Sequence, residues 1–381
     1  MKYTRLYILL FATGMFHTAQ GQHISGAMNF ANPIEANDSN SISFSYSNLF
    51  YFRDYEYFHN IQEGYTLFGT WQYPRIVIQP NKWLKLEGGV LLQKDFGNND
   101  LSKALPVFSL QLQKKGFRFI FGALEGNQSH GLAEPLMQYD QVIERAVEEG
   151  FQIKVAKKRF QSDLWLDWEI RQKENADYPE ELTGGLSLSY TLTKPDKALQ
   201  VKIPLQVIIP HKGGQLDTNS SVVSTTIDHA KGLWIEWTNR DKKNWLQQLR
   251  SDGYHVGYSH SQDKKVYPFQ KGDGVLINFF ARSKWDICFL ASYWNGNKYI
   301  APHGGKLFQS ISSISDRLNY TEPKRKLLFL NLMYEKELVE GLFADLRYNP
   351  YIDLHNHFFE HSFLVLVSYR HNFRLGTIHN K

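Results

Sequence analysis

Period-two alternation, sustained over segments of about ten to fourteen residues, constrains this chain more than any other feature. Leu164, Leu166, Trp168 and Ile170 are separated by Trp165, Asp167 and Glu169. Leu186, Leu188, Tyr190 and Leu192 enclose Ser187, Ser189 and Thr191, and Leu199, Val201, Ile203, Leu205 and Val207 enclose Gln200, Lys202, Pro204 and Gln206. Successive side chains of a strand point to opposite faces, so each segment reads as a strand with one apolar face. About sixteen such segments begin near residues 41, 64, 82, 104, 116, 149, 159, 183, 198, 227, 251, 274, 284, 325, 341 and 361. Ordinary strands run to roughly five or six residues, whereas ~10-residue strands fit a tilted crossing of a hydrocarbon layer.

The connections alternate in length. Long ones cover about 53–63, 95–103, 126–148, 172–182, 211–226, 263–273, 297–324 and 352–360; short ones include Lys114-Lys115, Lys158, Lys194–Lys197 and Ser283. A transmembrane barrel has this rhythm, with short periplasmic turns and longer outer loops. The expected fold is all-β, a single closed antiparallel transmembrane β-barrel of about sixteen strands, with fourteen and eighteen as alternatives. Residues 240–250 break the rhythm, being too long for a tight turn. Pro74, Pro106 and Pro204 fall inside expected strands and predict bulges, because proline removes a ladder hydrogen bond.

The polar faces carry mid-strand charge (Arg118, Lys154, Asp167, Lys202, Asp286, Arg347), as a wet lumen allows. Apolar faces end in Tyr190, Tyr293, Tyr334, Tyr348 and Tyr369, where interfacial girdles belong. Aromatic residues make up 15% of the chain while its mean hydropathy is negative. A structure apolar on one face only satisfies both.

Lys2 and Arg5, the apolar run Leu6–Phe16 and the small residues Ala19-Gln20-Gly21 have the layout of a secretory signal cleaved after Gly21. The run is too short to span a bilayer as a helix. Losing Lys2 and Arg5 takes the formal net charge from +5 to +3, too small an excess for a nucleic-acid partner. The single cysteine, Cys288, can form no internal disulfide and no Cys-based zinc site. The expected parts are a signal at 1–21, a free lead at 22–40, the barrel at 41–374 and a tail at 375–381.

The signal, the long strands, the loop rhythm and the aromatic segment Phe363–Tyr369 together resemble the porin-type outer-membrane barrels of Gram-negative bacteria. The resemblance implies an outer-membrane location, contact with membrane lipid, insertion by the barrel-assembly machinery and, as in many porins, assembly into homo-oligomers. It also implies passive diffusion of small polar solutes, and in general porins the third outer loop narrows the pore. Here that loop is Gly126–Glu148. If it turns inward, Glu134, Asp140, Glu144 and Glu148 face Arg118, Lys154 and Lys202, and opposed charges of this kind set up a transverse field. Otherwise it is a solvated outer loop. Met137–Val147 has rough helical spacing.

The alternative is a non-conducting barrel serving as scaffold or adhesin. A lipid hydrolase is the third reading, but Ser129-His130 and His361-Ser362 are sequence neighbours and point to opposite faces of a strand. No nucleophile elbow, phosphate loop or zinc helix is visible. His355-Asn356-His357 is a weak metal pattern, and no cofactor is expected.

Overall fold

The computed structural model describes residues 25–213, 223–260 and 266–378. The expected signal at 1–21 lies outside the described residues. Sixteen strands follow one another: β1 Ser41–Glu56, β2 Thr66–Asn81, β3 Leu84–Asp95, β4 Lys103–Lys114, β5 Phe117–Ala123, β6 Glu149–Ala156, β7 Phe160–Ile170, β8 Glu180–Thr191, β9 Leu199–Gly213, β10 Ser224–Thr238, β11 Leu246–His260, β12 Lys271–Ser283, β13 Ile287–Asn297, β14 Lys324–Val339, β15 Leu342–Asp353 and β16 Phe358–Thr377. Each pairs antiparallel with its neighbours, and β1 pairs with β16 from Ser41↔Thr377 to Glu56↔His361, which closes the barrel. Among the described residues no helix is long and apolar enough to cross a membrane; the strands make the crossing.

The alternation fixes which face is which. Leu164, Trp168 and Ile170 of β7 are exposed on the outer wall, while Trp165 and Asp167 between them are buried in the lumen. With no water to solvate them, backbone groups in lipid must pair internally, and only a closed ladder does this for strands. The lumen wall is held by ion pairs within and between neighbouring strands. Glu87 joins Lys85 and Arg75 at 2.6 and 2.8 Å, and Arg347 joins Glu335 and Asp345 at 3.2 and 2.8 Å.

The prolines do not produce bulges. Pro74 lies where the β2–β3 ladder skips from Gln72↔Leu92 to Arg75↔Gly89 without a register shift. Pro204 sits in the equivalent gap of β9–β10, between Leu205↔Lys231 and Lys202↔Trp234. Pro106 pairs with Val90 of β3, while on its other side the β4–β5 ladder begins only at Ser109. Each proline therefore forfeits bonds on one side only. The register shifts fall near strand ends, as at Ile42/Ser43 and Trp168/Ile170.

The expected break at 240–250 resolves into a shorter turn, because β11 begins at Leu246. The outward positions of β11 run Gln247, Leu249, Ser251, Gly253, His255 and Gly257, so a single apolar residue and no alternation marked its start. Turn chemistry is plainer at Lys115-Gly116, where φ values of 48° and 79° give the two-residue hairpin whose twist suits adjacent strands. A Cβ on Gly116 would lie 2.4 Å from the Ala156 carbonyl oxygen.

Two end segments differ from expectation. The last strand runs to Thr377, beyond the expected limit at 374. The lead is not free. Ala27 and Met28 are buried beside Arg347, Phe30 packs edge-on against Trp71 at 4.4 Å, and Asn32 reaches Glu87 across the lumen at 3.1 Å. Arg370 holds its start by donating to the Gly26 carbonyl at 2.8 Å.

Candidate functional site

The third outer loop, residues 124–148, turns into the barrel. Gln128–His130 lie within a 3-10 turn that ends at Gly131, whose φ of 67° reverses the chain toward the lumen. Leu132, Ala133 and Leu136 are then buried, and the walls grip the loop all round. Gln206 of β9 accepts from the Ala133 N–H at 2.8 Å and donates to the Gly131 carbonyl at 3.0 Å. Trp71 of β2 donates its indole N–H to the Val142 carbonyl at 3.3 Å. Tyr299 of the seventh outer loop, residues 298–323, donates to the Pro135 carbonyl at 3.0 Å. That loop also shares two backbone bonds with the third, Gly305 N–H to Glu134 at 2.9 Å and Gln138 N–H to His303 at 2.9 Å. Of the expected helix over 137–147, only Gln141–Glu144 is helical.

His130 is the main anchor. Its two ring nitrogens lie 3.0 Å from Asp163 of β7 and 3.0 Å from Glu148, and the ring stacks on Trp165 at 3.7 Å. Burial disfavours the imidazolium, but Glu148 and Asp163 outweigh it and raise the pKa to about 9.

The other selected residues form local pairs instead of two opposed sets. Arg118 and Lys154 are direct cross-strand partners, and both converge on Glu125 at 2.6 and 2.7 Å. Asp140 accepts from the Tyr55 hydroxyl and lies 3.6 Å from Arg53; burial raises its pKa against Arg53 and Lys306. Glu144 accepts from Gln138 at 3.2 Å and is raised by burial and by Asp140. Glu134 is pushed up to about 7 by burial, against Arg53 and Arg347. Lys202 stands 4.1 Å over the Trp234 ring. Glu125 and Arg53 were not selected from the sequence. Like charges placed opposite each other by the β5–β6 register were the signal that an acid had to lie between them.

Neither adjacent Ser–His pair forms a dyad. His130 is committed to carboxylates, and among the described residues the Ser129 hydroxyl has no hydrogen-bond partner. Ser362 is buried in the lumen near Tyr57, while His361 packs on Phe363. Among the described residues no cluster of ligating side chains fit for a metal forms. Hydroxyl–imidazole contacts do occur between strands at the outer rim. Thr225 of β10 lies 2.8 Å from His211 Nδ1 of β9, and Ser224 lies 3.5 Å from His260 of β11. Ser224 is buried on the lumen side, so Thr225, next in the strand, faces the lipid. The next outward residues toward the membrane, Ile209 and Ile227, are exposed and apolar. The Thr225–His211 pair therefore lies just above the apolar band.

A closed sixteen-stranded wall, apolar outside and charged inside, defines an outer-membrane β-barrel protein with a porin-like fold. The sequence matches the lipid A 3'-O-deacylase-type family over residues 34–378, and the chain belongs to that family. No curated protein sequence matches it. A loop L8 deletion mutant of OmpT, an outer-membrane protein of Vibrio cholerae, superposes with a TM-score of 0.51 at 12% identity, covering 87% of this chain and 100% of that one. OprD from Pseudomonas aeruginosa gives 0.49 at 8% identity over 91% and 97%. OccAB3 from Acinetobacter baumannii gives 0.46 at 10% identity over 87% and 99%.

Proposed function

We propose that this barrel hydrolyses an acyl ester of an outer-leaflet lipid of the lipid A type, using Thr225 and His211 on its lipid-facing wall. The observation that carries the reading is the 2.8 Å contact between these two side chains at the outer rim, in a chain of a family described by lipid A deacylation. The distance suits proton transfer from a hydroxyl nucleophile to a neutral imidazole. His211 takes the Thr225 proton as Oγ attacks the ester carbonyl. The alkoxide leaving group departs with that proton, and the acyl group stays on Thr225. Water, deprotonated by the same imidazole, then releases the fatty acid and restores Thr225. Ile209 and Ile227 below the pair are placed to receive acyl chains.

The test is fatty-acid release from lipopolysaccharide in vesicles, read by mass spectrometry. Thr225→Val and His211→Asn are expected to abolish release, and Ser224→Ala to retain it. Loss with Ser224→Ala alone would move the site to the lumen-facing pair. A folded wild-type barrel that releases no fatty acid refutes the reading.

A second reading, passive diffusion of small polar solutes, is favoured by the charged lumen. Glu134, Asp140, Glu144 and Glu148 of the third loop, with Arg118, Lys154 and Lys202 of the wall, would then form the constriction. It requires the third loop to leave its wall contacts. Current steps on the order of a nanosiemens in planar bilayers would support it. A barrel silent in both assays would leave a surface scaffold acting through its outer loops.

A further inference from the structure

Behind the third loop lies a cavity of about 60 Å³, bounded by β1, β14, β15, β16 and the first, third and seventh outer loops. Its charged lining is Arg53, Arg347, Lys306, Glu134 and Asp140. Phe308 and Phe329 stack at 5.0 Å and supply the apolar edge.

Hydrogen-bonding capacity is left over on both signs of charge. Arg53 donates from Nη1 to Asn349 at 3.2 Å and sits 4.3 Å over the Tyr55 ring, but its Nε, 3.6 Å from Asp140, makes no hydrogen bond among the described residues. The Lys306 ammonium stands 5.1 Å over the Tyr65 ring, and among the described residues it donates to no oxygen. Facing these donors, the Glu134 carboxyl has no hydrogen-bond partner among the described residues. Arg347 is already engaged by Asp345 and Glu335 and adds little free charge. The half-buried Glu134 carboxyl opens on this cavity, and the buried Arg53 guanidinium, left partly unsatisfied, costs stability unless something completes it.

A lone anion here would meet Glu134 and Asp140. A lone cation would meet Arg53 and Lys306. Only a species carrying both charges a few bonds apart satisfies the two sides together. A water needs ~10–15 Å³ of such space, so the cavity takes about four to six non-hydrogen atoms, the size of the smallest amino acids.

We propose that this cavity binds a small zwitterion, an α-amino acid with a minimal side chain, with its carboxylate on Arg53 and Lys306 and its ammonium on Glu134. The ligand would tie the third loop to the seventh and to the β1 wall, and so hold the lumen closed. The site is separate from the Thr225–His211 pair and stands whether or not that pair is catalytic.

Calorimetric titration of the detergent-folded full chain with glycine, alanine, acetate and methylamine tests this. Glycine and alanine are expected to bind saturably, with acetate and methylamine at least tenfold weaker. Glu134→Gln should weaken glycine at least tenfold and leave acetate unchanged or tighter, and Arg53→Gln should weaken glycine and acetate together. Heat-modifiable migration on gels shows that each variant is folded. Should Arg53→Gln fail to fold, Glu134→Gln still decides the outcome. Acetate binding as tightly as glycine would mean an anion site, and methylamine doing so a cation site; either overturns the proposal, as does the absence of saturable binding.

Discussion

Replacing His130 by glutamine should release the third loop, and pH should do the same to the wild type. His130 bridges Glu148 and Asp163 at 3.0 Å each, and its pKa of about 9 compares with an ordinary 6.5. That difference is worth roughly 3 kcal/mol of attachment for the protonated ring. Breaking a buried charge pair by removing one partner costs about 3–5 kcal/mol, which agrees. The histidine is raised, so its contribution is complete below pH 6.5, declines by about 1.4 kcal/mol per pH unit above that, and is gone above pH 9. Trypsin cleavage after Arg145, inside the loop, reports the detached population when opening and closing are fast. Its rate, normalised to an unstructured peptide, should rise on the order of a hundredfold from pH 7 to pH 9. His130→Gln still donates a hydrogen bond but carries no charge. It should be cleaved at pH 7 nearly as fast as the wild type at pH 9, and show little further pH dependence. A wild-type rate flat from pH 7 to 9, or a variant indistinguishable from wild type at pH 7, would refute the argument that the imidazolium holds this loop.

Two further perturbations follow from the same packing. Deleting residues 127–146 and closing the gap with a short glycine-serine link should turn a silent barrel into a conducting one in planar bilayers, because the lumen then keeps only its wall, its lead and the seventh loop, which loses its packing partner. No current from a folded deletion variant would show that the lead and the seventh loop close the barrel without the third. Trp71→Ala removes the ring that packs on Phe30 and donates to the Val142 carbonyl. Large core truncations cost about 3–5 kcal/mol, so its unfolding midpoint in denaturant should fall clearly below wild type, and both the lead and the third loop should become cleavable.

The strand period and the loop rhythm determined the closed barrel, a strand count of about sixteen and which residues face lipid. These follow from the sequence alone because strand alternation is local and because lipid leaves no other way to satisfy a strand's backbone. The reading failed where the local signal was weak. Past Leu249 the outward residues of β11 are serine, glycine and histidine, so only the ladder to β10 and β12 defines its start. Proline announced lost hydrogen bonds at Pro74 and Pro204, but not that the loss would fall on one side without a bulge.

The site was decided by closure. A carboxylate in the third loop looks the same in sequence whether it meets water or Arg53. Ring closure brings β1, β2, β7 and β9 around one lumen, and there Asp140 finds Arg53, His130 finds Asp163, and Glu134 is left with a cation-lined cavity. The same closure sets Thr225 beside His211, which lie fourteen positions apart in sequence but on paired strands. Desolvation raises the stakes of every unmatched charge in such a lumen, so the partners that matter are those the barrel imposes, and no spacing along the chain encodes them.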